Sequence, residues 1–140
     1  GLAGVIIPDL PPEESDPYLA AAKMARMPLI FLCSPTCTEE RIRLIARRSR
    51  AWIYLVSVKG VTGTRSTLAP DIAGFVRRVR KQTTKPLYVG FGISTPQQAA
   101  KVAEVADGVI VGSAILRKVA EGAKPKEIEK FVATLRRALH

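Results

Sequence analysis

Apolar runs that stop at a turn signal and give way to a helical period recur along the whole chain. Leu2 to Leu10 (LAGVIIPDL) predicts a strand on its Val-Ile-Ile centre. Pro11-Pro12-Glu13-Glu14 then predicts a helix start, because proline is tolerated in a first turn and acidic side chains suit the positive end of the dipole; the helix is expected to run to about Ala25. Pro28 to Cys33 (PLIFLC) is too short for a helix and is closed by Ser34-Pro35, so it predicts a second strand. Thr36 to Glu39 has the T-x-x-E form of a capping box, and the helix behind it carries Ile42, Leu44, Ile45 and Ala46. Trp52 to Val58 predicts a third strand, followed from Lys59 to Leu68 by a long loop with two glycines and no helical period. Pro70 to Lys81 predicts a helix with Ile72, Phe75, Val76 and Val79 on one face. Pro86 to Phe91 and Gly108 to Val111 predict the last two strands. The first leads to a helix capped by Ser94 or Thr95, and the second passes through Gly112-Ser113 into a short helix; Pro125 to Leu139 predicts a closing helix.

The order is strand then helix, repeated, with strands that are continuous apolar runs rather than alternating ones. This predicts an α/β fold with a parallel sheet buried on both faces. Residues 1–140 are enough for one core and are expected to form a single domain. They fall short of the roughly 250 residues that a closed (β/α)8 barrel takes. Gly1, rather than Met, stands directly before an apolar strand, so a piece of a longer protein is expected. No apolar run approaches about 18 residues and no charged-then-apolar leader opens the chain, so a soluble protein with no membrane partner is expected.

Charge changes this picture little. Lys and Arg number 22 against 12 Asp and Glu, giving +10, and the excess clusters in Arg41 to Arg50 and Arg77 to Lys81. There it interleaves with Ile, Leu, Ala and Val at helical spacing, which predicts solvated helix faces. Nucleic-acid binding calls for aromatics among the charges, and these stretches have almost none. Cys33 and Cys37 have only His140 as an imidazole neighbour, too few ligands for structural zinc. No metal is expected, and the thiols read as incidental ones of a reduced, cytoplasmic chain.

Ligands of parallel α/β sheets bind at the carboxyl ends of strands, where five places carry chemistry. They are Asp9, Ser34, Tyr54 with Ser57, Gly90 to Ser94, and Gly112-Ser113. The two glycine turns open consecutive helices and lack a Cβ to hold an anion off the backbone, so they form a candidate phosphate cradle or are simply tight turns. Asp9 is a site carboxylate or the N-cap of the helix after it; Tyr54 lines a site or fills a core layer. A small phosphorylated substrate fits the set.

Four segments, IIPDLPPEE (Ile6 to Glu14), IYLVSVKGVTGTRS (Ile53 to Ser66), VGFGISTPQQA (Val89 to Ala99) and ADGVIVGSAI (Ala106 to Ile115), resemble the tryptophan synthase alpha chain family in order and spacing. The resemblance covers essentially the whole sequence and implies a TIM (β/α)8 barrel family fold, here a partial barrel of about five parallel strands, fourth through eighth, with flanking helices. It implies retro-aldol cleavage of indole-3-glycerol phosphate to indole and glyceraldehyde 3-phosphate. Indole then passes to a tryptophan synthase beta chain, the partner that carries pyridoxal phosphate; the alpha chain needs no cofactor of its own.

By the same resemblance, the amides of Gly63, Gly92, Gly112 and Ser113, with the Ser113 hydroxyl, hold the phosphate. Phe91 packs on the indole, Tyr54 lines the pocket, Thr62 lies on the loop that closes over substrate, and Asp9 stands near the beta-chain contact. The family's catalytic Glu and Asp belong to segments without a counterpart in these residues. The isolated chain is therefore expected to lack lyase activity and to self-associate through open barrel edges. Other readings are a non-catalytic phosphate-binding half-barrel and another phosphate-binding barrel enzyme, such as indole-3-glycerol-phosphate synthase or a pentose-phosphate epimerase.

Overall fold

In the computed structural model, which describes residues 2–56, 71–90 and 92–139, the apolar runs lie as parallel strands in chain order. They are β1 (Val5–Ile6), β2 (Leu29–Ile30), β3 (Leu32–Cys33), β4 (Ile53–Val56), β5 (Leu87–Gly90) and β6 (Gly108–Ile110). Between and after them stand α1 (Asp16–Met24), α2 (Glu39–Arg48), α3 (Ile72–Arg80), α4 (Pro96–Ala103), α5 (Ser113–Ala120) and α6 (Pro125–Arg137). β1 pairs with β2, and β3, β4, β5 and β6 form a ladder in that order.

The run from Pro28 to Cys33, expected as one strand, changes partner at Phe31. Leu29 and Ile30 pair with β1, Leu32 and Cys33 pair with β4, and the Phe31 carbonyl accepts from the Tyr54 amide at 3.1 Å. The Phe31 amide instead donates to the buried Ser49 hydroxyl at 3.3 Å. β1 is correspondingly short, because it has a partner only at Val5 and Ile6.

Two helix starts also differ from expectation. Pro12–Glu14 is a separate 3-10 turn with Pro11 at its N-cap, and α1 begins only at Asp16. Between them Ser15 is fully buried, donating to the Pro12 carbonyl at 2.7 Å and accepting from Arg48 at 2.9 Å. The cap of α2 is Thr38, which accepts from the Arg41 amide at 3.2 Å, and not Thr36. Thr36 belongs to the turn closed by the Cys37 amide on the Ser34 carbonyl, and its hydroxyl bonds that of Ser34 at 2.8 Å.

Strand alternation divides the sheet into two unequal faces. Ile53, Leu55, Leu87 and Val89 are fully buried in one cluster with Ile42 and Ile45 of α2, Phe75, Val76 and Val79 of α3, and Ala99 and Val102 of α4. Side chains of this size gain about 1.5–3 kcal/mol each on full burial, so this face carries the fold. Tyr54, Val56 and Tyr88 point the other way and are half-buried. The expectation of a sheet covered on both faces therefore holds for one face only among the described residues. Continuous apolar sequence records the hydrophobicity of both faces but not whether each is covered.

The basic helices do more than face solvent. Arg41 pairs with Glu13 at 3.1 Å and Arg78 with Glu39 at 3.2 Å, while Arg48 pairs with Asp16 and Arg80 with Asp107. Arg78 also donates to the carbonyls of Pro35 and Cys37 at 2.9 and 2.8 Å. Lys85 donates to the carbonyls of Ala46 and Ser49 at 2.5 and 2.6 Å, placing a cation at the negative end of α2. Through these contacts α1, α2 and α3 are tied to neighbouring elements. No helix among the described residues is long and apolar enough to cross a membrane.

Asp107, just before β6, accepts from the Leu87 amide at 2.7 Å and from Arg80. Burial pushes its carboxyl up, but the Leu87 hydrogen bond and the Arg80 contact outweigh this and hold it below the usual carboxylate range. A depressed folded pKa contributes stability that is present above the unfolded value and is lost as pH falls through the folded one. Asp107→Asn is expected to cost about 1 kcal/mol at pH 7, discounted for its exposure, with the penalty disappearing in acid. Urea titrations of both proteins from pH 7 down to 3 check this; a pH-independent difference would contradict it.

Candidate functional site at the carboxyl ends of the strands

The register of β5 and β6 brings the two glycine turns together. Gly90 pairs with Ile110, so Gly92 and Gly112 each follow two residues beyond paired positions on adjacent parallel strands and leave the sheet at the same end. Gly92 has φ +78°, a left-handed conformation, so glycine is set here by the backbone itself. Gly112 has φ −121°, open to any residue, and an added Cβ would meet nothing within 4 Å. Among the described residues no contact accounts for a glycine at Gly112, while open space lies where a side chain would start.

The two helices after these turns differ in what they offer an anion. At α4, Thr95 caps the Gln98 amide at 3.2 Å. The Gln98 carbonyl oxygen in turn accepts from the amides of Ser94 and Thr95 at 2.8 and 3.2 Å. That end is closed by its own capping box. At α5 the N-cap is Gly112, with no side-chain cap. Its carbonyl accepts from Ile115 and Leu116, both at 3.0 Å, while the amides of Gly112, Ser113 and Ala114 have no protein acceptor among the described residues. The Gly92 amide likewise has none there. The cradle expected from two equivalent turns is thus lopsided, with α5 as its open wall and the Gly92 corner beside it.

Tyr54 reaches over the C-terminal end of β5. A Cβ built on Gly90 would lie 2.3, 2.4 and 2.6 Å from its Cε2, Oη and Cζ, so the glycine there makes room for the ring. Gly108 stands in the same relation to Tyr88, at 3.0 and 3.1 Å. Trp52 joins them, its ring centroid 6.3 Å from Tyr54 and 5.0 Å from Tyr88. Burial raises the Tyr54 phenol above its ordinary pKa, so at neutral pH it is a neutral hydroxyl. Trp52 and Tyr88 were not among the expected site residues. The signal for Trp52 was its two-residue spacing from Tyr54, which puts both on one side of the chain as it enters β4, while Tyr88 is placed by its pairing with Tyr54.

Other expected residues lie apart or outside the described regions. Asp9 is exposed in the turn after β1, at the far strand of the row from Gly112, and does not cap a helix. Ser34 follows β3 and bonds Thr36 and Cys37. Ser57, Thr62, Gly63 and Phe91 lie outside the described residues, as does the long loop predicted from Lys59 to Leu68.

The family model of the tryptophan synthase alpha chain matches residues 1–139. The tryptophan synthase alpha chain of Dehalococcoides mccartyi is 50% identical over 139 residues, which cover 99% of this chain and 54% of that protein. A solved chain from Aquifex aeolicus superposes with a TM-score of 0.88 at 35% identity, covering 100% of this chain and 52% of the other. A tryptophan synthase structure from Mycobacterium tuberculosis gives 0.86 at 38% identity, covering 97% and 51%. The chain thus spans about half the length of the curated relatives it matches.

The Tyr54 over Gly90 contact generates a test. Gly90→Ala forces the ring aside and is expected to destabilise the protein by about 1–3 kcal/mol, the usual range for overpacking. Tyr54→Ala in the same background should recover part of that loss. Denaturant midpoints of the two single variants and the double variant measure it, and strict additivity would show that ring and glycine are not coupled.

Proposed function

We propose, because the chain belongs to the tryptophan synthase alpha chain family, that it contributes the phosphate-binding and indole-binding half of a lyase site. The whole site cleaves indole-3-glycerol phosphate into indole and glyceraldehyde 3-phosphate, in tryptophan biosynthesis. The observation that carries this reading is the open α5 N-terminus beside the Gly92 corner.

A phosphate dianion seated there accepts from the amides of Gly112 and Ser113 and lies at the positive end of the α5 dipole. The Ser113 hydroxyl and the Gly92 amide complete its near shell, with the Gly63 amide from the loop after β4. Tyr54 lines the pocket as a neutral phenol, and Phe91 packs against the indole ring. Thr62 rides on the closing loop. The roles of Thr62, Gly63 and Phe91 rest on the family resemblance, and so does that of Asp9 at the beta-chain contact.

Cleavage of the bond between indole C3 and the glycerol carbon needs two things: a proton delivered to C3, and a base on the C3′ hydroxyl. That is work for two carboxyl groups of separately tuned pKa. By the resemblance a Glu that protonates C3 and an Asp that binds the indole N–H come from segments without a counterpart in these residues. The polypeptide described here therefore binds and orients but does not turn over alone. It holds no cofactor of its own, and the product indole goes on to the beta chain, where pyridoxal phosphate is bound. The half-covered face bearing Trp52, Tyr54 and Tyr88 is closed in the whole barrel by the remaining strands, and in the isolated polypeptide by self-association.

Gly112→Ala tests the anion site. With no neighbour within 4 Å of the new Cβ, stability should change by less than about 1 kcal/mol. Affinity for indole-3-propanol phosphate should fall at least about tenfold, because the methyl enters the space of the dianion. Thermal melts and titration calorimetry read the two effects, and unchanged affinity would count against the site. The isolated polypeptide should give no steady-state turnover and should scatter light as an oligomer; turnover near that of a complete alpha chain, from a monodisperse monomer, would refute the division of labour.

A further inference from the structure

A cleft of about 390 Å³ opens at the amino ends of the strands, away from the glycine corners. Its apolar lining comes from Leu19 of α1 and from Met27 and Pro28, which lead into β2; all three are half-buried. Lys23 and Arg26 come to it from the end of α1, and Arg50 from the connection between α2 and β4. These three are exposed, and no acidic side chain is among the residues that line the cleft.

Two observations set these cations apart from the other basic residues. Among the described residues none of the three pairs with a carboxylate, whereas Arg41, Arg48, Arg78 and Arg80 all do. Positive charge even accumulates near Arg50: Lys85, held on the Ala46 and Ser49 carbonyls, is pushed below the usual lysine range by burial and then by the Arg50 charge. The second observation is the backbone of Arg26, whose φ of +52° is left-handed, alone among the described non-glycine residues. Its amide donates to the Lys23 carbonyl at 3.1 Å and the Met27 amide to that of Ala22 at 2.9 Å, in a turn that glycine commonly closes at a helix end. Glycine would adopt this backbone without strain; arginine does so at a cost and brings a third cation to the cleft.

We propose that this cleft binds a small amphipathic anion, an apolar body carrying a phosphate monoester. The lining of Leu19, Met27 and Pro28 takes the body out of water, and the three unpaired cations meet the head. Attraction between exposed charges is weak by itself, so affinity depends on body and head together. A phosphate monoester suits three cations better than a carboxylate does, because it is nearly a dianion at neutral pH and offers three acceptor oxygens. The volume falls within the range of small-molecule pockets, which begins near about 300 Å³.

The test uses the 140-residue protein at pH 7, labelled with 13C at its methionine methyls, and hexyl phosphate as the probe. The chain has two methionines: Met27 lines the cleft, and Met24, 87% exposed, does not. Hexyl phosphate should shift the Met27 signal saturably and leave Met24 in place, with Met24→Leu assigning the two. Inorganic phosphate, which lacks the body, should move neither, and hexanoate should bind at least about threefold more weakly. Arg50→Gln should weaken binding about tenfold. Arg26→Gly should weaken it by a similar factor while the melting temperature holds or rises, since glycine suits the left-handed backbone, so its loss of affinity is not a loss of fold. Gly112→Ala should leave the Met27 titration unchanged, which separates this cleft from the α5 corner. No saturable Met27 shift, equal shifts of both methyls, or unaltered affinity in Arg26→Gly and Arg50→Gln overturns the site. Inorganic phosphate shifting Met27 as well as the ester does, or hexanoate binding as tightly, overturns the ligand class.

Discussion

Leu55, Val89 and Val109 lie side by side in the parallel ladder, as do Tyr54, Tyr88 and Gly108 one residue earlier. This register is the constraint on which everything else rests. The residues of the first row, with Leu87 and Ile53, are drawn against α2, α3 and α4 by apolar burial. Once those contacts fix the strands, the two-residue period leaves no choice for the second row, which is turned to the opposite face. A slip by one residue would send tyrosines toward the helices and valines to the half-covered side. The glycine corners inherit their positions from the same register, since each is a fixed number of residues past a paired position.

Much of this was legible in the sequence. The succession of strands, turns and helices follows from period and turn chemistry, which are local, and the glycine corners could be read as neighbours once the strands were taken as parallel and consecutive. Features that depend on contacts through space were not legible. Phe31 changes partner because the Ser49 hydroxyl takes its amide from the far end of α2. Thr36 has the spacing of a helix cap, yet the Ser34–Cys37 turn claims it, and Thr38 takes the role. The glycine at Gly90 reads like its neighbour Gly92, but one yields to a ring and the other to a left-handed backbone. Of the candidate site, the α5 corner and Tyr54 emerge with geometry; Thr62, Gly63 and Phe91 keep only the support of motif.

The basic residues illustrate how composition can mislead about purpose. A surplus of ten positive charges suggests a polyanion partner, yet Arg48, Arg78, Arg80 and Lys85 hold carbonyls, carboxylates or a buried hydroxyl belonging to neighbouring elements. Guanidinium groups suit this work because one planar fork can serve two acceptors, as Arg78 does for Pro35 and Cys37. Helices that cross a parallel sheet need such fastenings at their ends, where backbone carbonyls are otherwise unmatched.

The tyrosines on the open face lean in a common direction. Tyr54 lies over Gly90 of the next strand, and Tyr88 over Gly108 of the strand beyond. They overlap like roof shingles laid from β4 toward β6, each sheltering a stretch of bare peptide that has no side chain of its own. Loss of one ring therefore wets a single glycine and leaves its neighbour dry, so damage to this layer stays confined to one strand.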